Sequence, residues 1–398
     1  MPQPSGLSMK KIWSLASFSL ILAAATAQTE PRFLLHEIAR DLSEGVSVFD
    51  VDRDGRLDVV SGAFWYQAPD WKPHRFREVG FTNEYVINCG EFAVDVNGDG
   101  YEDILSAGWQ EDGIFYYENP KKIGPIWPKR KIASSKDTEG LAMADVDGDG
   151  IRDLLVSNYS RQPFFWIRIT KAGQFEIHPI RPNGEGNGHG IGFGDIDGDG
   201  KGDIVTERGW FRQLDWQKDQ WDYHPDFELH DASIEMIVKD VNGDGKADII
   251  YGRGHAFGLY WLEQKLKGQW QRHTIDESFS QVHTVALADL DGDGKPELLA
   301  GKRYRAHNDK DPGAFEPLAF HYYKFTPGPN VNFTRHTLAM NSPASPGMQL
   351  IVKDLDADGD LDIVTAAKSG QYWFENLTIN KVPDTSRETF YQRFPTRK

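Results

Sequence analysis

Acidic side chains at alternate positions recur seven times in this chain, each set closed by an acid at its ninth position. The sets are Asp50, Asp52, Asp54 and Asp58; Asp95, Asn97, Asp99 and Asp103; Asp145, Asp147, Asp149 and Asp153; Asp195, Asp197, Asp199 and Asp203; Asp240, Asn242, Asp244 and Asp248; Asp289, Asp291, Asp293 and Glu297; and Asp354, Asp356, Asp358 and Asp362. Oxygen donors spaced this way can converge on one hard cation of calcium size, and the glycine at the sixth position allows the sharp turn between them. Short apolar runs rather than helices flank each loop, which makes these strand–loop–strand calcium sites and not EF-hands.

A second set of residues could do different chemistry. Six places before the first acid of each loop stand Glu44, Cys89, Glu139, His189, Ile234, His283 and Met348. Five places after the last acid stand Ala63, Gly108, Asn158, Arg208, Arg253, Lys302 and Ala367. The cations share repeats four to six, and His255, Arg303, Tyr304 and His307 follow closely behind them. Imidazole is the commonest transition-metal ligand, so His189 and His283 could hold zinc with His255, Glu139 or Glu235. Glu235 is one residue out of phase and would need a bulge to point inward. A metal-free His/Arg site for an anion or a sugar stays open beside the zinc reading. Repeats one to three offer Trp65, Trp109 and Tyr159 in this region, and Trp65, Trp109 and Trp210 could stack on sugar rings. His178, His224, His273 and His336 fall on outer strands and read as surface or packing residues.

The elements that must position these groups follow from the period. Successive loops lie 45, 50, 50, 45, 49 and 65 residues apart. A period of that length with several strands per unit is the mark of a β-propeller, here predicted all-β and seven-bladed. Each unit contains an inner strand, the loop, a β-rich second strand, an aromatic third strand such as Phe64–Gln67 or Phe164–Ile169, and an outer strand such as Phe175–Ile180. The last unit stops after its third strand, while Phe33–Ala39 carries the outer-strand pattern before any loop has appeared. The N-terminal run is therefore predicted to complete the final blade and close the ring, leaving no exposed sheet edge. Inner strand and second strand run antiparallel, so both registers named above should ring one mouth of the central channel, opposite the calcium loops.

Residues 28–376 form this domain and 377–398 read as a polar, loosely docked tail. The segment 1–27 reads as a signal peptide: Lys10 and Lys11, an apolar run from Ile12 to Ala25, then Ala25-Thr26-Ala27 as a cleavage site. Translation could begin at Met1 or Met9. The protein is expected to be periplasmic or extracellular, without a membrane span. The single cysteine, Cys89, excludes an intrachain disulfide, so calcium would be the structural staple and Cys89 a buried small residue. The formal charge of −16 is largely a statement about metal, since 26 of the 60 acids sit in the loops. Seven bound calcium ions would bring the mature chain near neutrality, and no nucleic-acid partner follows from the charge. A monomer or weak oligomer is expected.

The loops resemble the FG-GAP/VCBS repeats, whose members form calcium-bearing propellers, over residues 33 to 376. A narrower resemblance rests on Gly188-His189-Gly190, Arg253-Gly254-His255-Ala256-Phe257-Gly258, Val282-His283-Thr284, Lys302-Arg303-Tyr304-Arg305-Ala306-His307 and Asp311-Pro312-Gly313-Ala314. These stretches look like the propeller domain of the aldos-2-ulose dehydratases, which eliminate water from keto-sugars. The resemblance implies a zinc in the cleft and a lyase activity. Those enzymes continue into cupin domains that this sequence does not contain, which puts isomerisation and their dimer in doubt. The function expected is a secreted carbohydrate lyase or dehydratase working by metal-assisted β-elimination. His255 or Tyr304 would act as base, and Arg208, Arg253, Lys302, Arg303 and His307 would stabilise charge. The alternative is a non-catalytic propeller that binds polysaccharide or a cell-surface partner.

Overall fold

The computed structural model describes residues 30–378, apart from 83–84, 110, 160–162 and 267, together with Met1. The predicted signal peptide beyond Met1 and tail residues 379–398 lie outside the described residues. Short β-branched and aromatic runs separated by turn residues make each repeat an antiparallel meander, with the middle strands buried on both faces. In the third repeat the strands are Thr138–Ala144, Asp153–Asn158, Phe164–Ile169 and Phe175–Arg181, paired in that order. Among the described residues the regular structure is all β apart from two short 3-10 turns, Trp216–Lys218 and Ala306–Asp309.

The seven loops predict seven separate blades; among the described residues the hydrogen bonding gives five separate four-stranded blades, one eight-stranded sheet and a two-stranded ribbon of Phe81–Thr82 with Tyr85–Val86. In the large sheet the inner strands of repeats four and five, Ile191–Gly194 and Glu235–Lys239, pair in parallel, Ile191 opposite Glu235 and Phe193 opposite Ile237. The cause is in the sequence. A Cβ at Gly192 would lie 2.6 Å from the Met236 carbonyl oxygen, and one at Gly194 2.6 Å from Val238 Cβ. Only glycine lets these two backbones approach to hydrogen-bonding distance.

The strand Phe33–Ala39 pairs antiparallel with Gly370–Asn376, with Phe33 opposite Asn376 and His36 opposite Trp373. Leu377 N donates to the Arg32 carbonyl just beyond, at 2.7 Å. The core is divided among the gaps between consecutive repeats. Leu105 and Tyr116 pack on Leu154 and Phe165 between repeats two and three, and Val48, Val59 and Tyr66 pack on Leu355, Val364 and Trp373 between the first and last. Each gap is filled by the aromatic third strands, where large rings bury the most area.

The ninth acid of each loop is a tie between strands. Asp58 accepts from Val51 N (3.0 Å) and Ala68 N (2.9 Å), and Asp362 from Leu355 N (2.9 Å) and Asn376 N (2.7 Å). Burial pushes both of these carboxyls up to about 7. The first acid shapes the turn: Asp50 accepts from Asp54 N and Gly55 N at 3.1 and 2.9 Å. One ligand atom from each of Asp50, Asp52 and Asp58 lies within 4.8 Å of the others, as does one from each of Asp145, Asp147 and Asp153. Such a donor set suits a hard divalent cation.

The third strand reaches back to these loops. Arg168 pairs with Asp147, Arg212 Nε with Asp197 at 2.7 Å, and Lys324 Nζ with Asp291 at 2.9 Å. In loops one and five the corresponding partners are uncharged or reversed. Gln67 donates to Asp52 at 2.6 Å, and Asn242 donates to Glu263 at 2.9 Å.

Candidate metal centre at the channel mouth

The seven residues six places before each loop do meet around the axis, and they divide by polarity. Cys89, Ile234 and Met348 form one small apolar cluster with Trp109 against it. Glu44, Glu139, His189 and His283 are buried in a polar network beside it. His255 joins them from the connection between the strands Asp248–Gly252 and Phe257–Leu266.

The three imidazoles lie within touching distance. Ring centroids are 5.0 Å apart for His189 and His255, 5.4 Å for His189 and His283, and 4.9 Å for His255 and His283. One ring nitrogen from each lies within 4.8 Å of the others. The Nδ1 atoms all face oxygens: His189 the Ala232 carbonyl at 2.6 Å, His255 the Asp311 carboxylate at 2.8 Å, and His283 the Gln281 carbonyl at 3.3 Å. A ring that donates from Nδ1 presents the Nε2 lone pair on its other side. His189 Nε2 is buried without a hydrogen-bond partner, 3.7 Å from Glu139 Oε2. A buried unpartnered ring nitrogen calls for a ligand, and three converging imidazoles with a nearby carboxylate suit zinc or a similar ion.

Burial, reinforced by the Arg303 guanidinium and by His255, holds His283 well below the usual histidine range, so it is neutral and able to ligate. Burial likewise lowers His255. At Glu139 burial acts to raise the carboxyl, but His189 and Arg303 bring it below its ordinary value. Gly254 is what lets the rings assemble: a Cβ there would sit 2.9 Å from His189 Cε1 and 3.4 Å from His283 Nε2.

Arg303 crosses the mouth. It holds Glu44 with two bonds of 2.5 and 2.8 Å, reaches Glu139 at 3.3 Å and donates to His283 Nε2 at 2.7 Å. Metal loading would exchange that last bond, leaving the guanidinium on the two glutamates. Arg303 is buried, so it is an anchor of the network and not a group exposed to a ligand.

The structure redistributes several expected roles. Lys302 is buried and donates to the carbonyls of Gly313 and Glu316, the latter at 2.8 Å, which makes it a loop staple. Arg253 is held by Asp231 at 2.6 and 2.7 Å. Arg208 Nε lies 3.5 Å from Glu207, and Tyr304 faces the Arg305 guanidinium at 5.9 Å. His307 is brought to the centre, stacked on His255 at 3.9 Å. Glu235 is not with the histidines: it lines a cavity of about 380 Å³ between the inner strands, together with Arg152 and Gln349. The phase offset has this effect, because Ile234 takes the position that faces the mouth. Trp65 and Trp210 are buried under His74 and His224 and cannot receive a sugar. Trp109 is half-buried and meets Tyr159, which is 55% exposed, at 6.0 Å; the Tyr159 ring stands 6.4 Å from His189.

Asp231, Asp311 and Lys368 were not among the assigned site residues. Lys368 Nζ is 3.8 Å from Glu44, and burial brings it down to about 8. The signal for Asp311 was the 65-residue spacing between the last two loops, whose surplus falls in the connection carrying it.

The model of an FG-GAP-like repeat matches residues 95–156, 145–206 and 240–300. No curated protein matches the chain. Among solved structures, the chain is similar to an Agrocybe aegerita lectin described as specifically recognising non-reducing terminal N-acetylglucosamine, at 15% identity and a TM-score of 0.46, over 82% of this chain and 84% of that one. It is also similar to the V. cholerae biofilm matrix protein Bap1, at 10% identity and a TM-score of 0.44, over 90% of each chain. Among the described residues no helix is long and apolar enough to cross a membrane. The sheets and their packing make this chain an all-β propeller, and FG-GAP-like repeats are found in it over residues 95–206 and 240–300.

Proposed function

We propose that this chain is an exported propeller of seven repeat units, closed by its N-terminal strand and supported by calcium in its loops, that binds saccharide around a transition-metal centre. His189, His255 and His283 would hold the ion, with Glu139 as the adjacent carboxylate. The observation that carries the reading is the convergence of three imidazoles whose Nδ1 atoms all face oxygens while His189 Nε2 is left without a partner. Tyr159 and Trp109 supply the sugar-stacking surface next to it, as exposed aromatic rings commonly do for pyranose faces. The cations first assigned to a developing negative charge are occupied by carboxylates or carbonyls, which supports binding over turnover. Titrating metal-stripped protein with zinc, then screening glycans with and without chelator, tests this. Zinc-dependent glycan retention that Tyr159→Ala abolishes is the expected result; glycan binding unaffected by both changes would refute it.

A second reading, a carbohydrate lyase acting on a keto-sugar, is favoured by the short distance between His307 and the centre and by the resemblance to the aldos-2-ulose dehydratases. A bound divalent ion would polarise a ketone there. His307, half-exposed on its side chain and stacked on His255, is the group placed to take the neighbouring proton. Incubation with keto-sugars would show this activity as a rising enone absorbance; a flat trace with zinc-loaded protein would exclude it for those substrates.

A further inference from the structure

In six repeats the second and third strands are joined by two to six residues, but in the sixth repeat Glu297–Gly301 and Ala319–Phe325 are joined by the 17 residues 302–318. This long connection is fastened at several points. Lys302 Nζ holds the Gly313 and Glu316 carbonyls, Arg305 pairs with Asp309 at 3.0 Å, and Lys368 Nζ donates to the Arg305 carbonyl at 3.1 Å. It delivers Asp311 to the histidine cluster. The Asp311 side chain is 8% exposed, with one oxygen 2.8 Å from His255 Nδ1 and the other 2.9 Å from His307 Nδ1.

We propose that the long connection of the sixth repeat completes the metal centre, with Asp311 as the positioning residue that fixes His255 for ligation. The inference rests on the metal-centred reading above. His189 and His283 are oriented by backbone carbonyls, which come with the fold. His255 has a side-chain carboxylate instead, supplied from a different part of the chain. Its imidazole could otherwise turn about its own axis and present a carbon or an N–H to the other two rings. An acceptor at Nδ1 selects the tautomer whose Nε2 lone pair faces them, and partners of this kind tune metal affinity through the ligand they hold. Asp311 lies behind His255 and not among the three converging imidazoles, so its effect should appear in affinity and tautomer rather than in direct ligation.

The test uses the full chain stripped of metal and titrated with zinc against a chromophoric chelator. Asp311→Ala and Asp311→Ser, the second too short to reach His255, should each weaken zinc by about 10- to 100-fold while melting temperature and calcium content stay at wild-type values. Lys310→Ala, in the same connection, should bind as wild type does. Nitrogen NMR of the zinc-free wild type should find His255 protonated on Nδ1, a readout that needs no variant to fold. Unchanged affinity in a folded Asp311 variant, or His255 protonated on Nε2, would overturn the proposal and leave the metal reading standing. Wild-type protein that binds no zinc would overturn both.

Discussion

Trp166 and His178 face each other directly across the outer hairpin of the third repeat, their rings 4.5 Å apart and 19° from parallel. The same pairing occurs between Trp65 and His74, Trp210 and His224, Trp261 and His273, Tyr322 and His336, and Trp373 and His36. In the second repeat Arg130 replaces the imidazole, its guanidinium 5.2 Å above Tyr116. Cross-strand pairs of this type stabilise a hairpin modestly. His178→Ala should therefore cost about 1 kcal/mol, read as a small drop in melting temperature with metal content unchanged. A loss of zinc in that variant would contradict the structural role assigned to the outer histidines.

The third strand also sorts the acidic loops. Arg168, Arg212 and Lys324 place a basic side chain on loops three, four and six, and a tethered cation competes with a dissolved one for the same oxygens. Arg168→Gln should tighten calcium at loop three by roughly fivefold, the equivalent of about 1 kcal/mol for a partly solvated charge pair. Calcium per chain measured after dialysis against a calcium buffer checks this; equal or lower retention by the variant would show that Arg168 does not compete.

His321 gives a pH dependence independent of any metal. It is buried in the strand Ala319–Phe325, with Nδ1 hydrogen-bonded to Thr337 Oγ1 at 3.1 Å. Burial, reinforced by Arg335 and opposed by Asp276, brings it down to about 4. Its folded value lies below the unfolded one, so its contribution is complete above about pH 6.5 and is lost as pH falls toward 4. The loss amounts to about 3 kcal/mol at pH 4. His321→Gln should be less stable than wild type at pH 7.5, and the difference should narrow or reverse by pH 4.5. Parallel melting curves at both pH values would count against it.

The N-terminal strand should be indispensable for stability. It supplies the fourth strand of the last sheet through the pairing of Phe33 with Asn376 and His36 with Trp373. Removing residues 32–39 would expose Tyr372 and Phe374 and leave a bare sheet edge. The shortened protein is expected to melt well below the full chain; an unchanged melting temperature would mean the edge is covered in another way.

Much of this was legible because a propeller repeats itself. The loops fixed the register of all seven units, and counting back from them found His189 and His283, which the fold then brought to one mouth. The same counting set Cys89, Ile234 and Met348 on the same ring, where they form its apolar part. What the count could not reveal was pairing. Nothing in the positions of Lys302, Arg253 and Arg303 showed that each cation already has oxygen partners, since those partners come from distant segments. The zipping of repeats four and five was written in Gly190, Gly192 and Gly194, but a glycine alternation reads equally as a weakened strand until its neighbour is known. Asp311 escaped because it lies in the one connection that breaks the period.

The most direct test is anomalous scattering at the zinc absorption edge from crystals of zinc-loaded wild type and of His283→Ala. A single strong peak among His189, His255 and His283 in the wild type, absent from the variant while the loops remain ordered, is the result predicted here. No peak at the three histidines, or an equal peak in both proteins, would contradict the metal-centred account.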